Sequence, residues 1–357
     1  KLIRDDDIFY MIKPNLYIFQ WISDLGGSDT RLKELLILLK NDFAITCVPN
    51  DEFRLSEKNN TDFLDSHGIK YSLMQNLPKK MEGFGYANCN FRLFSEQNRI
   101  NFIHESGLKF LWSNDMMWND KDELAAITAG KIDCVLFTSL FHKSVLEENV
   151  LKANVTQKMA ILENYFDSST WPYIKRQKRD FVSCGKVSRP DYLKFSEDFP
   201  VFYESVTKDM PVHFHIMGWS NEMREKYNWF DFSPNKWKLL DANSIPTQNW
   251  FAFLDIFLYN CNYKFIENQS RAIIESQLTG CPIVAPNKWN FPNMIWDERT
   301  GFLWNNAEEL TNIMRDLMDY DYRNKFGKLA SECTRDVWCD ASVAKRKLYK
   351  MLDYVLN

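Results

Sequence analysis

The residues best suited to chemistry lie between 265 and 286, in the segment FIENQSRAIIESQLTGCPIVAP. A polar stretch there is followed by apolar residues at helical spacing, which predicts a helix that begins near Ser270 and ends at Gly280. The free backbone amides at the start of such a helix attract a phosphate group, and Arg271 adds a fixed positive charge. We therefore predict an anion-binding site that contains Ser270 and Arg271.

Two glutamates flank the start of this helix. Glu267 precedes it and Glu275 lies about one turn inside it, which places both at the carboxyl edge of the predicted parallel sheet, where α/β proteins bind ligands. Two glutamates at this spacing also arise by chance in a chain with 48 acidic residues. The spacing alone therefore leaves open an ordinary pair of one solvated and one helix-face glutamate.

The first half of the chain must supply a sheet of its own. A strand at LYIFQW (16–21), a glycine-containing turn, a helix and a second strand starting at FAITCV (43–48) follow one another. This order is typical of the opening of a doubly wound parallel sheet. We predict that Ser28 or Asp29 caps the helix and that Gly26 and Gly27 bring the backbone close to a ligand.

A second set of strands and helices follows a polar, basic stretch after residue 164. Short apolar runs such as FVSCGK, PVHFHIMG and CPIVAP alternate with helical segments there, which predicts a second α/β unit. A length of 357 residues also suits two domains better than one. We predict a first domain at 1–172 and a second at 173–339.

Composition and charge exclude several classes of protein. The formal net charge of −4 argues against a surface built throughout to bind nucleic acid, and an apolar fraction of 45% indicates a globular protein. The eight cysteines show no metal-ligand spacing and are expected to be buried reduced thiols, and no metal site is predicted. Without an apolar run of roughly 20 residues or a signal peptide, a cytoplasmic location is expected.

Three ordered motifs resemble those of a known enzyme family. Glu267 and Glu275, the segment TGCPIVAP (279–286) and the turn WDERTGFLW (296–304) resemble the donor-site signature of the family-4, GT-B glycosyltransferases. The resemblance implies two Rossmann-like domains that face each other across a cleft. It also implies transfer of a sugar from a UDP- or GDP-sugar substrate with retention of configuration, without a metal and without a permanently bound cofactor.

The resemblance extends over most of the chain. Further segments that resemble the family are GGSDTRLKELL, KFLWSNDMMW, DCVLFTS and AILENYFD in the first half and SCGKVSRPD and FHIMGWS in the second. By resemblance, the last helix (340–357) joins the first domain. The family's pattern implies that Glu275 accepts hydrogen bonds from the ribose hydroxyls and that Glu267 faces the transferred sugar.

Charge must be neutralised on the diphosphate as the sugar leaves. We expect cations and backbone amides to point at it, because negative charge grows there as the anomeric bond breaks. The candidate cations are Lys186, which replaces a common family arginine, with Arg189 and Lys194 nearby. Gly26, Gly27 and the amides around Ser270 are the neutral candidates.

Departures from the family pattern bear on the chemistry. Asn114 stands where the family usually has a histidine near the reacting sugar, and an asparagine can donate a hydrogen bond but cannot titrate. Asp115 is a candidate contact for the acceptor, although a turn-capping role fits it equally well. Ser270 replaces the usual glycine, and Asn293 stands where a glutamate is common.

The acceptor is left open by the sequence. A glycan or lipid-linked glycan is the usual acceptor of such enzymes. The aromatic richness and the basic run KRQKR (175–179) instead resemble phage enzymes that glycosylate hydroxymethylated DNA bases, for which Trp112, Met116, Met117 and Trp118 would line the pocket of an extruded base. A third hypothesis, based on the missing histidine, is a sugar-nucleotide-binding protein without catalysis.

Overall fold

The computed structural model describes residues 13–23 and 26–357, which fold into two compact α/β units. One unit runs up to Phe166 and resumes at Asp340–Asn357, and the other is Asp167–Cys339. The structure thus divides the chain between Phe166 and Asp167, six residues before the boundary that we predicted between 172 and 173. The linker around this point has no regular secondary structure between residues 162 and 181.

The first unit is built on parallel strands joined by helices. Its elements up to the linker are β1 (Asn15–Ile18), α1 (Gly27–Leu39), β2 (Ala44–Cys47), α2 (Lys58–Ser66), β3 (Lys70–Tyr71), β4 (Phe84–Asn88), α3 (Arg92–Ser95), α4 (Gln97–Ser106), β5 (Lys109–Ser113), α5 (Lys121–Thr128), β6 (Cys134–Phe137), α6 (Leu140–Ala153) and β7 (Lys158–Ile161). Among the described residues these strands form a seven-stranded sheet in the order β3-β2-β1-β4-β5-β6-β7. All neighbouring strands run parallel.

The second unit repeats this plan. Its elements, followed by the last helix of the chain, are β8 (Val182–Val187), α7 (Phe199–Val206), β9 (Val212–Met217), α8 (Asn221–Lys226), β10 (Trp237–Leu240), α9 (Thr247–Phe253), β11 (Ile256–Leu258), α10 (Arg271–Leu278), β12 (Ile283–Pro286), α11 (Phe291–Met294), β13 (Phe302–Trp304), α12 (Ala307–Asp316), α13 (Tyr320–Trp338) and α14 (Ala341–Leu356). The six strands are parallel, in the order β10-β9-β8-β11-β12-β13. Helix α14 belongs to the first unit, where its apolar face joins the core.

The central strands are buried on both faces, as expected when helices cover both sides of a parallel sheet. Every residue of β4, β6 and β12 is buried. The prediction of two Rossmann-like α/β units is therefore confirmed. Many of the abundant aromatic side chains fill the core of the second unit, where Phe199, Trp219, Tyr227 and Trp237 contact one another.

The start of α1 differs from its prediction. The helix begins at Gly27 and its N-cap is Gly26, which has an extended backbone. Neither Ser28 nor Asp29 caps it, because both lie inside its first turn, where Ser28 accepts a hydrogen bond from Asn88 and Asp29 one from Ser23. The predicted cap was wrong by two or three positions.

The end of α10 is shaped by two glycines. Gly280 has a φ of +73°, a left-handed conformation that favours glycine, and it ends the helix as the sequence predicted. A Cβ atom on Gly327 in α13 would lie 2.2 Å from the carbonyl oxygen of Gly280. Glycine at both positions therefore allows the close contact of α13 with the end of α10.

Candidate functional site

The site is built at the carboxyl edge of the second sheet. Three of the loops that leave that edge are residues 188–195 after β8, residues 259–270 after β11 and residues 287–290 after β12. Parallel strands deliver the loops that follow them to one edge, and ligands of doubly wound sheets bind there. The loops after β8 and β11 carry four of the residues predicted from the sequence, namely Arg189, Lys194, Glu267 and Ser270. A fifth, Lys186, lies near the end of β8.

A buried cluster joins the first two of these loops. The ammonium of Lys194 lies 2.5 Å from Oε2 of Glu267 and 3.2 Å from the hydroxyl oxygen of Tyr259. The Tyr259 hydroxyl donates to the same Glu267 oxygen at 2.5 Å. Only 10% of the Lys194 side chain and 8% of the Glu267 side chain are exposed. The structure therefore brings Lys194 and Glu267 together as an ion pair that is held by a tyrosine.

Tyr259 was missed by the sequence analysis. It follows β11 directly and is 1% exposed, and burial holds the pKa of its hydroxyl well above the usual value. A protonated hydroxyl can donate to Glu267, so Tyr259 orients this carboxylate. The available signal was its position near the end of the apolar run LDIFLYN (254–260), because the carboxyl ends of parallel strands lie at the ligand edge.

Lys186 lies deeper than predicted. Its side chain is fully buried, and its ammonium donates to the main-chain oxygens of Lys194 and Asn260. Burial lowers the pKa of Lys186 to about 8. Because its hydrogen bonds go to two loop carbonyls, Lys186 positions the loops after β8 and β11. The predicted direct contact of Lys186 with a diphosphate is corrected to this positioning role.

The other candidate cation of this loop is placed differently. Arg189 is exposed, and its guanidinium makes no hydrogen bond or ion pair with any residue that the structure describes. It lies on the loop after β8, three residues beyond Lys186. Arg189 therefore remains a candidate cation for the diphosphate, but it makes no hydrogen bond or ion pair with Lys194, Tyr259 or Glu267.

The predicted helix start is present at α10. Ser270 is the N-cap of this helix with an extended backbone, and its side chain does not cap the helix. Arg271 and Glu275 are buried, and Nε of Arg271 lies 3.3 Å from Oε1 of Glu275, one turn along the helix. Arg271 is thus the ion-pair partner of Glu275, and the charges of this helix start balance each other.

In the first unit, a polar cluster lies at the carboxyl ends of β4 and β5. Arg31 of α1 forms a buried ion pair with Asp115 and donates to Oγ of Ser113 at 2.9 Å and to the carbonyl of Leu162 at 2.8 Å. Asp115 has a φ of +62° and also accepts from Asn88 at 3.3 Å. Asp115 is therefore held by Arg31, a residue that the sequence analysis did not single out.

Gly26 and Gly27 lie at the start of α1 near this cluster. Gly26 is half-buried and Gly27 is exposed. Residues 24 and 25, which precede this turn, lie outside the described part of the chain. The role of Gly26 and Gly27 toward a ligand stays a prediction.

Asn114 is a structural residue. It is fully buried, and its amide nitrogen donates to both carboxylate oxygens of Glu123, at 3.0 and 2.9 Å, and to the carbonyl of Trp118 at 2.9 Å. Its amide oxygen accepts from the backbone of Met116 at 2.8 Å. Every polar atom of Asn114 is thus used to fix the loop after β5. The catalytic role predicted for Asn114 is corrected accordingly.

Glu123 occupies the middle of this arrangement. Its carboxylate also accepts from Nε1 of Trp112 at 2.8 Å and from the backbone of Asp120 at 3.0 Å. Burial raises the pKa of Glu123 above its ordinary value. A histidine at position 114 could not supply the same two donors to one carboxylate, which explains why asparagine suits this loop.

The features that favoured a DNA acceptor are accounted for within the fold. Trp112 is fully buried in the core of the first unit and cannot receive a base. In the basic run, Arg176 is buried and donates to main-chain carbonyls such as those of Leu254 and Phe251, and Arg179 pairs with Asp255 at 2.6 Å. Trp118 is 48% exposed and stacks on Phe91. Trp112, Arg176 and Arg179 therefore give the DNA hypothesis no support, whereas Lys175 and Lys178 of the same run are exposed.

The remaining site predictions concern metals, cysteines and membranes. No group of three or more His, Cys, Asp or Glu residues within 13–23 and 26–357 is arranged to hold a metal ion. Six cysteines are buried, as predicted, and Cys89 and Cys339 are half-buried. In the same described ranges, every helix is too short or too polar to cross a membrane.

Comparison with known proteins identifies the fold. The sequence matches no protein-family model and no curated protein with which it was compared. Solved structures do match: the Anabaena protein Alr3699/HepE in complex with UDP and glucose superimposes with a TM-score of 0.71 at 12% identity, over 96% of this chain and 100% of that one. A glycosyltransferase from Rickettsia africae gives 0.70 at 16% identity, over 96% and 99% of the two chains.

Sucrose-phosphate synthase from Thermosynechococcus elongatus is similar as well, with a TM-score of 0.65 at 13% identity over 96% of this chain and 100% of that one. The chain has the GT-B fold. Because the likeness covers nearly all of each chain, the GT-B fold applies to both α/β units. Membership in family 4 stays a prediction, since identities this low establish the fold alone.

Proposed function

We propose that this protein is a glycosyltransferase that transfers a sugar from a nucleotide-sugar donor, a UDP-sugar in the first instance, to a hydroxyl group. The observation that supports this best is the cluster of Lys194, Tyr259 and Glu267 beside the start of α10, at the ligand edge of a sheet in a GT-B fold. The similar Anabaena protein was solved with UDP and with UDP-glucose.

The donor is proposed to lie across the start of α10. The first amides of this helix would face the diphosphate, because a helix N-terminus carries partial positive charge. Glu275, one turn into the helix, would accept hydrogen bonds from the ribose hydroxyls. Nε of Arg271 lies 3.3 Å from Oε1 of Glu275 and balances the charge of this buried carboxylate.

Glu267 is proposed to face the transferred sugar. Its Oε2 is already engaged by Lys194 and Tyr259, so Oε1 is the oxygen that remains for a sugar hydroxyl. Two donors on one oxygen fix the carboxylate in a single orientation, which favours recognition of one hydroxyl position. Transfer would proceed with retention and without a metal, as the family resemblance implies.

The acceptor is proposed to be a glycan or lipid-linked glycan that enters beside the loop after β5. Trp118 is half-exposed on this loop and presents an aromatic face of the kind that packs against sugar rings. Asp115 is held in place by Arg31 and Asn88, and a fixed carboxylate can orient an acceptor hydroxyl.

Donor binding is tested with Glu275→Gln, which keeps the side-chain size and removes the charge. We expect the Kd for UDP and UDP-glucose, measured by calorimetry, to rise by roughly 10- to 100-fold, because hydrogen bonds to a charged group contribute about 1.5–3 kcal/mol. Glu308→Gln on the exposed start of α12 is the matched control and should bind as the wild type does.

Two further measurements separate the alternatives. Release of UDP from UDP-glucose, with and without a glycan acceptor, distinguishes an enzyme from a protein that only binds the donor. A wild-type protein whose melting temperature rises with UDP-glucose but that releases no UDP would favour the non-catalytic hypothesis. If neither UDP nor GDP nor any of their sugars binds, the proposed function is wrong.

A further inference from the structure

The proposed donor site needs a cation that is free to meet a diphosphate, and three of the four predicted ones are engaged, whereas Arg189 is exposed on the loop after β8. Lys186 donates to two main-chain carbonyls, and Lys194 is paired with Glu267. Arg271 is paired with Glu275. The positive charges of Lys186, Lys194 and Arg271 are therefore already bound by carbonyls or carboxylates.

Lys288 lies on the third loop of the same edge, two residues after β12. Strand β12 is the neighbour of β11, and the backbone of Tyr259 donates to Val284 across them at 2.9 Å. The buried side chain of Asn290 donates to the carbonyl of Asn268 at 2.6 Å. The loop that carries Lys288 is thus tied directly to the segment that leads into α10.

The environment of Lys288 suits an anion. Its side chain is half-buried, and its ammonium lies 4.0 Å from the ring centroid of Trp289. The ammonium makes no hydrogen bond or ion pair with any residue in the described ranges. Burial lowers the pKa of Lys288, and Cys261 acts in the opposite direction.

Cys261 also links Lys288 to the cluster at the site. Its sulfur is 3.8 Å from the ammonium of Lys186, and it influences the pKa of both lysines. The loop of Lys288 also contacts the segment of Glu267 directly, through the Asn290 to Asn268 hydrogen bond. Lys288 is also partly removed from water, and a partly desolvated cation gains more from an anionic partner than an exposed one does.

We propose that Lys288 is the side-chain cation that binds the diphosphate of the donor, in the role that the sequence assigned to Lys186. This inference rests on the proposed function, because it presupposes a nucleotide diphosphate at the start of α10. It assigns the three loops separate tasks: the loop after β8 neutralises Glu267, the loop after β11 presents that glutamate, and the loop after β12 supplies charge for the leaving group.

The test is a comparison of UDP with uridine, both titrated against the full chain and followed by ligand-observed NMR. Lys288→Met is expected to raise the Kd for UDP by about 10- to 100-fold, as for the loss of a charge-assisted hydrogen bond. It should leave the Kd for uridine unchanged, because uridine carries no phosphate. Lys288→Arg should recover most of the UDP affinity, and Lys325→Met, on the exposed face of α13, is the matched control.

Salt provides a second readout that a purely structural role would not change. The Kd of wild-type protein for UDP should rise more steeply with sodium chloride concentration than that of Lys288→Met, because a charge contact is screened. If Lys288→Met binds UDP as tightly as Lys325→Met does, the assignment of Lys288 is wrong and the proposed function stands. If the wild-type protein binds uridine and UDP with equal Kd values, or binds neither, the diphosphate site itself is refuted.

Discussion

The buried pair of Lys194 and Glu267 makes a quantitative prediction about stability. Lys194→Met keeps a long, flexible side chain and removes the ammonium, which leaves Glu267 with the Tyr259 hydroxyl as its hydrogen-bond donor at 2.5 Å. Glu267 would then be a buried carboxylate without its directly bonded counter-charge. Removing one partner of a buried ion pair typically costs about 3–5 kcal/mol, because the other charge stays desolvated.

This magnitude follows from the burial of the pair. The Lys194 and Glu267 side chains are 10% and 8% exposed. By contrast, the Lys58 and Asp62 side chains of a pair on α2 are 83% and 57% exposed. An exposed pair at this helical spacing contributes about 0.3–0.5 kcal/mol. Lys58→Met is therefore the control, and its effect should be about tenfold smaller.

Thermal unfolding measures the difference. For a unit of this size, 1 kcal/mol corresponds to about 2–4 °C in Tm, so Lys194→Met should lower the Tm by roughly 6–20 °C. Tryptophan fluorescence suits the measurement, because nine of the twelve tryptophans lie in Asp167–Cys339. A double variant with Glu267→Gln should regain part of the loss, since a neutral amide needs no counter-charge.

The reasoning would be refuted by a Tm of Lys194→Met no lower than that of Lys58→Met. It would also be refuted if Lys194→Met together with Glu267→Gln were less stable than Lys194→Met alone. Either result would mean that Lys194 does not neutralise Glu267 in the folded protein.

Two further predictions concern buried polar groups. Asn114→Ala should lower the free energy of unfolding by about 1–3 kcal/mol, because Glu123 loses two hydrogen bonds in a buried site. The Kd for UDP should stay that of the wild type. Weaker UDP binding at unchanged stability would restore a role for Asn114 in the donor site. Burial lowers the pKa of His215 to about 4, so the folded state holds it neutral while the unfolded chain takes up a proton below pH 6.5. The free energy of unfolding should therefore fall as the pH decreases from about 6.5 to 4. Urea unfolding at several pH values should show a smaller fall for His215→Gln than for the wild type. Identical pH profiles of the two proteins would contradict this assignment.

The fold was within reach of the sequence because its signals are local. Apolar runs at strand length, helical spacing between them and Gly280 at a helix end depend on neighbouring residues alone, and the structure places parallel strands and helices where these patterns stand. The N-cap of α1 was less predictable. Ser28 and Asp29 both have side chains that can cap a helix, but they accept hydrogen bonds from Asn88 and Ser23, which lie outside α1.

The sequence predicted the part of the candidate site that lies around the start of α10, but not the partners of those residues. Glu267, Ser270, Arg271 and Glu275 lie in one segment, so their shared position at the sheet edge follows from chain order. The partners of these residues come from other segments. Lys194 is 73 residues from Glu267 in the chain, and no local pattern shows that they form a pair.

What the sequence by itself determined is the set of elements, their parallel arrangement and the segment that carries the glutamates. The tertiary structure decided which polar groups are buried together and therefore what each one does. It buried Lys186 and Asn114, whose hydrogen bonds hold loops, and it placed the ammonium of Lys288 over the ring of Trp289. The physical reason is that the role of a charge depends on its solvation and its nearest partners, and both are set by contacts between segments that are distant in the chain.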